Sequence, residues 1–195
     1  MARNTTGAGL TLRAAALSRI GSDIADRPAI VAAKSRLGDW EGDTIVGARH
    51  HGGLLTHVER KSLFTTISKL SWSTAQATHR ATVHRLNPLR DHVHTITYDN
   101  GKEFAGHRNT AQCLRADIFF ATPYHAWERG VNENTNSLIR DFFLKGTDFT
   151  TIHPATVAKW SACSIGTPAN RSAFKRPTRS FTRWRNAAEC YALGS

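Results

Sequence analysis

The stretch "DWEGDTIVGARHHGGLLTHVERKSLFTTISKL", residues 39–70, decides the fold. It contains three strand-like runs in succession. Residues 39–48 carry a β-branched patch. Residues 53–62 and 63–70 alternate in polarity and are separated by a charged turn. Consecutive runs of this kind predict an antiparallel meander. One residue does not belong in such a strand. Asp43 lies between Trp40 and Ile45, and strand interiors disfavour aspartate, so it is either an edge residue or kept there for its chemistry.

Downstream, strands and helices alternate. Residues 73–89 place Ala77, Ala81, Val83 and Leu86 at near-helical spacing, with Ser73 or Thr74 as cap and a stop near Pro88. "HTITYDNG" (94–101) is a strand running into a turn, 106–116 a short helix, and "DIFFATP" (117–123) a strand ended by proline. "GVNENTNSLIRDFFLKGTDF" (130–149) predicts a helix with an inward stripe at Val131, Thr135, Leu138 and Phe142. A meander followed by alternating elements implies an α/β layered fold with a mixed sheet. Upstream, residues 1–22 are rich in Ala, Gly and Arg with little periodicity, and a short helix is expected after Pro28.

The chain has 195 residues, a formal net charge of +11 and a pI near 10.3. Such an excess fits a polyanionic partner, most often nucleic acid. Cys113, Cys163 and Cys190 form no CxxC pair and are odd in number, which argues against a disulfide framework or a structural zinc site and fits a reduced, cytoplasmic compartment. No apolar run is long enough to span a membrane. The N-terminal apolar run, interrupted by Arg13, does not read as a signal peptide. His50 and His51 read as surface residues, and Trp127 as core or as a base-stacking ring.

Two further acids stand beside Asp43. Asp99 ends the "TITYD" strand, where Asp-Asn-Gly is also an ordinary turn signal. Glu133 opens the 130–149 helix, where the macrodipole alone favours an acid by about 0.3–1 kcal/mol. Singly, each has a bland explanation. Together, two acids on neighbouring strands and one on a packed helix form a set of hard oxygen donors suited to Mg2+ or Mn2+. Two such ions can activate an attacking oxygen and stabilise the leaving oxygen of a phosphodiester.

The motifs "WEGDTIVG", "HVERKS", "TYDNGKEF" and "PYHAWERGVNENTNSLIRDFFLKGTDF" occur in this order. Over roughly residues 26–152 they resemble the catalytic core of the insertion-sequence-thirty family of transposases, within the retroviral-integrase-like superfamily. The resemblance implies an RNase H-like fold with a mixed five-stranded sheet flanked by helices, in a core at 23–155. It maps the family's acidic triad onto Asp43, Asp99 and Glu133, with 33 residues between the last two. Asp39 competes with Asp43 on spacing alone, and Asp43 is preferred because it is the Asp of "WEGD". The implied activity is metal-dependent DNA strand cleavage and joining with two Mg2+ or Mn2+ ions, on transposon ends and target DNA, by a homo-oligomer in a nucleoid-associated setting. Lys102, Arg129, Asn132, Asn136 and Arg140 are candidates for holding phosphates or bases.

Two segments depart from the family pattern. Residues 1–22 lack the helix-turn-helix expected before the core. The tail, 156–195, does not show the Leu-Gly-Phe-x-Thr-Pro-x-Glu type motif. Residues 172–180, "SAFKRPTRS", can be encoded so that a shifted frame reads Gly-Phe-Gln-Thr-Pro-Asp-Glu-Val. The expectation is a frameshifted copy whose tail packs poorly from about Ser161. The alternative function is then a catalytically impaired DNA-binding remnant of a decayed transposase gene.

Overall fold

The computed structural model describes residues 20–123, 125, 128 and 130–157. Strand β1 (Ile20–Asp23) is followed by the short helix α1 (Ala29–Ala32) and the meander β2 (Asp39–Val46), β3 (Gly53–Glu59) and β4 (Thr65–Leu70). Then come α2 (Ala75–Leu86), β5 (Thr95–Tyr98), α3 (His107–Leu114), β6 (Asp117–Phe120) and α4 (Gly130–Phe142). The described strands form one sheet of order β1-β6-β5-β2-β3-β4. The meander is antiparallel, while β2 with β5, β5 with β6 and β6 with β1 are parallel.

The sheet thus has six strands, one more than expected. The extra strand is β1, which crosses the expected boundary at residue 22 and brings residues 20–22 into the core sheet. Its sequence, Ile-Gly-Ser-Asp, is weakly strand-like. Gly21 takes a positive φ of 75°, and the register with β6 shifts between Ile20 and Ser22. A glycine at such a bulge supplies a conformation that side chains with a Cβ resist.

Alternation along β2 sends its residues to two different cores. Trp40 and Gly42 face α2 and α3, where Trp40, Leu55, Leu86, Ile96, Tyr98, Phe104, Leu114 and Ile118 are buried together. Burial of side chains this size stabilises by about 1.5–3 kcal/mol each. Ile45 faces the opposite side, with Leu54, Ile67, Ile139, Phe143 and Phe149. Helix α4 lies across β2 and β3 on that second face. Helix α2 starts where expected, with Thr74 accepting a hydrogen bond from the Ala77 N–H at 3.2 Å.

Helix α4 is rotated from its expected stripe. Leu138 and Phe142 are exposed, and Ile139 and Phe143 are buried instead. Residues 158–195, including the expected poorly packed tail, lie outside the described residues, as do residues 1–19, Arg129 and Trp127.

Candidate active site

The parallel pairing of β2 with β5 places Glu41 opposite Thr97. Continuing that register by two residues puts Asp43 level with Asp99, just past the end of β5. Both side chains therefore project from the face that carries α4, and both are half-buried. Asp99 is held by its own turn, its Oδ1 accepting the Gly101 N–H at 3.0 Å. Asp43 Oδ1 accepts the Thr44 N–H at 2.8 Å, and its Oδ2 accepts Asn136 Nδ2 from α4, also at 2.8 Å.

Glu133 lies in the first turn of α4, three residues before Asn136, and is exposed. All three acids are thus on the same side of the sheet. Among the described residues, no three His, Cys, Asp or Glu side chains are grouped closely enough to hold a metal ion.

Asp39, the competitor on spacing, belongs to a different structure. Its two carboxylate oxygens accept the Arg36 guanidinium at 2.9 Å each, and Oδ1 also accepts the Thr95 hydroxyl at 2.8 Å. It is fully buried and committed to fixing the start of β2.

Glu41, Glu59 and Glu103, three further acids of the motifs, also have structural partners. Glu41 is 0% exposed; Oε1 pairs with the Arg60 guanidinium and Oε2 accepts the Asn132 backbone N–H at 2.9 Å. Burial pushes its carboxyl above the ordinary range, an effect that Arg60 and the Asn132 N–H oppose. Glu59 accepts the backbone N–H groups of Gly38 and Ser62 at 3.1 and 2.6 Å, closing the β3–β4 turn. Glu103 accepts the Thr44 hydroxyl at 2.6 Å. Beneath Gly42, His57 Nε2 and the Tyr98 hydroxyl approach to 3.2 Å, with Thr82 Oγ1 alongside. Burial drives the His57 pKa down to about 3 and raises that of Tyr98.

Of the residues expected to touch nucleic acid, Lys102 is exposed near Asp99. Arg140 is half-buried; Nη2 donates to the Val46 carbonyl at 3.2 Å, and Nη1 is sheltered without a hydrogen-bond partner among the described residues. Asn132 differs from expectation. It is 0% exposed and its Oδ1 faces the Thr56 hydroxyl at 3.2 Å, so its side chain is internal.

No protein-family model matches the chain. The transposase of insertion sequence element IS4351 from Bacteroides fragilis is 42% identical over 160 residues, covering 82% of this chain and 49% of that protein. The chain is a relative of the IS30-like insertion-sequence transposases. A probable transposase of element IS1161 from Streptococcus salivarius is 35% identical, over 70% of this chain and 39% of its own length. The chain therefore spans about half the length, or less, of these transposases.

Solved structures add the fold. The catalytic core domain of BIV integrase superposes with a TM-score of 0.52 at 18% identity, over 79% of this chain and 98% of its own. The HTLV-2 integrase catalytic core, solved in complex with magnesium, gives 0.52 at 16% identity over 79% and 99%. The transposase-like chain thus has the RNase H-like fold of an integrase core, with the six-stranded sheet described above. No helix among its described residues is long and apolar enough to cross a membrane.

The buried structural pairs were not legible in the sequence. Glu41 and Arg60 sit 19 residues apart, and no local pattern joins them. Glu41 lies inside β2, and Arg60 directly follows the last residue of β3.

Proposed function

We propose that the chain is the catalytic core of a DNA transposase, performing metal-dependent strand cleavage and joining. What supports this reading is the parallel register of β2 with β5: carried two residues beyond the Glu41–Thr97 pair it sets Asp43 beside Asp99, and Asp43 is bonded to the helix that carries Glu133. Their carboxylate oxygens are the donor type that Mg2+ or Mn2+ requires, and Asp43 and Asp99 would hold the first ion with Glu133 completing a second site. Such ions, when bound, polarise the phosphodiester and activate the attacking oxygen.

The chain's own groups supply the rest. Asp43 and Asp99 are fixed by backbone N–H donors. Glu133, exposed in the first turn of α4, is the third oxygen donor of the set. Lys102, Arg129 and Arg140 would hold phosphates. The partners would be transposon ends and target DNA, bound by a homo-oligomer, and the +11 charge favours that polyanion.

The test is nicking of supercoiled plasmid by the purified chain, with and without Mn2+, beside its Glu133→Gln variant. Metal-dependent nicking lost in the variant is expected. Equal nicking by both proteins would refute the assignment. A second reading, a DNA-binding remnant without productive chemistry, is favoured by the exposed position of Glu133. It predicts DNA binding with no metal-dependent nicking.

A further inference from the structure

We propose that Asn136 is a positioning residue, which locks the Asp43 carboxylate to the helix carrying Glu133, rather than a DNA contact. The proposal rests on the reading of Asp43, Asp99 and Glu133 as the metal-holding acids.

On either side of Glu133, helix α4 meets the sheet at two polar ties one helical turn apart; further along the helix, Arg140 donates to the Val46 carbonyl. At the first, Glu41 Oε2 accepts the Asn132 backbone N–H at 2.9 Å, while Arg60 holds the other carboxylate oxygen. At the second, Asn136 Nδ2 donates to Asp43 Oδ2 at 2.8 Å, while its Oδ1 lies 3.3 Å from the Thr56 hydroxyl. Thr56 is directly opposite Asp43 in the β2–β3 ladder and is fully buried. The two ties join segments 91 and 93 residues apart in sequence. Between them sits Glu133, so both the azimuth and the height of its backbone are set by contacts to the strand that carries Asp43.

The chemistry selects an amide at 136. A carboxylate acceptor at Asp43 demands a donor, which the Asn136 amide supplies; its oxygen is one of three acceptors around the single Thr56 hydroxyl proton, with Asn132 Oδ1 and the Asp43 carbonyl at 3.2 Å each. An aspartate there would repel Asp43, and a lysine would lose the acceptor. A donor on one oxygen also fixes the carboxylate's rotation. Outer partners of metal-binding side chains act in this way, and their loss typically weakens metal binding by about 10- to 100-fold.

The experiment uses the whole chain and Mn2+ alone, titrated calorimetrically without DNA. It is run for the native protein, Asn136→Ala, Asn136→Gln and, as a control on the site itself, Asp99→Asn. DNA affinity is measured in EDTA, and hydrogen exchange of the Asn132 amide is followed in the absence of metal. Asn136→Ala is expected to weaken Mn2+ binding by about 10-fold or more, to speed exchange of the Asn132 amide, and to leave DNA affinity in EDTA unchanged. Asn136→Gln, which keeps the donor on a longer arm, recovers part of both losses. Unchanged Mn2+ affinity and exchange in Asn136→Ala overturn the proposal. So does a fall in DNA affinity with Mn2+ binding intact, which would make Asn136 a DNA contact. Mn2+ binding that is absent, or that survives Asp99→Asn, overturns the metal-site reading itself and the proposal with it. Failure of the parent reading therefore shows in the native and Asp99→Asn proteins, and failure of the positioning role only in the Asn136 variants.

Discussion

Gly42 stands between Glu41 and Asp43 on β2, and a single methyl group added there should disturb the whole site. A Cβ at this position would lie 2.2 Å from Tyr98 Cε1 and 2.6 Å from Cδ1. The ring would have to retreat by roughly 1.2 Å to reach ordinary contact. It has nowhere to go. Tyr98 is 2% exposed, stacks on Phe104 with centroids 4.2 Å apart and meets His57 edge-on. Overpacking of a core typically costs about 1–3 kcal/mol, and a rigid, stacked ring places this case at the upper end. Relief of glycine's backbone entropy returns about 0.5–1 kcal/mol. The net loss for Gly42→Ala is then about 2 kcal/mol, or roughly 4–8 °C in Tm for a chain of this size. Urea and thermal melts read it directly. Tyr98→Leu empties the space the methyl needs, so the double variant should lose less than the two single losses added together. A Gly42→Ala protein within about 0.5 kcal/mol of native, or strictly additive losses, would refute the packing argument.

Other changes should separate structural from chemical acids. Arg60→Ala leaves Glu41 buried without its counter-charge and should cost about 3–5 kcal/mol in urea melts, whereas Lys61→Ala, at an exposed neighbour, should cost little. His57 is buried neutral with its pKa lowered to about 3. The unfolded chain therefore binds a proton that the folded chain does not between about pH 6.5 and pH 3, and stability should fall as pH drops through that window. The loss between pH 7 and pH 4.5 should be larger in the native protein than in His57→Gln, and equal losses would sink this account.

The meander was legible because one face of each strand is buried and the alternation shows it. Asp43 was legible as a carboxylate in a strand interior. The face of α4 was not. Leu138 and Ile139 are adjacent, as are Phe142 and Phe143, so two apolar stripes about 100° apart fit the periodicity equally well. The choice between them is made by Asn132 and Asn136, which turn inward to meet Thr56 and Asp43. Polar residues that face inward for a partner far away in sequence defeat a hydrophobic pattern. Strand β1 escaped for a related reason: it lies at the sheet edge, with a glycine bulge and few apolar residues. Motif order singled out Asp43 and Asp99 as candidates, while the parallel pairing of β2 with β5, which runs toward both, was not visible in it.

The ties between α4 and β2 reach across 91 and 93 residues of chain. During synthesis the meander can form while α4 is still inside the ribosome, since contacts close in sequence form early and distant ones late. A polypeptide halted between residues 100 and 130 thus carries Asp43 and Asp99 yet lacks Glu133 and the Asn136 amide. Under the proposed function, nascent and prematurely terminated chains would therefore emerge without the complete set of acids.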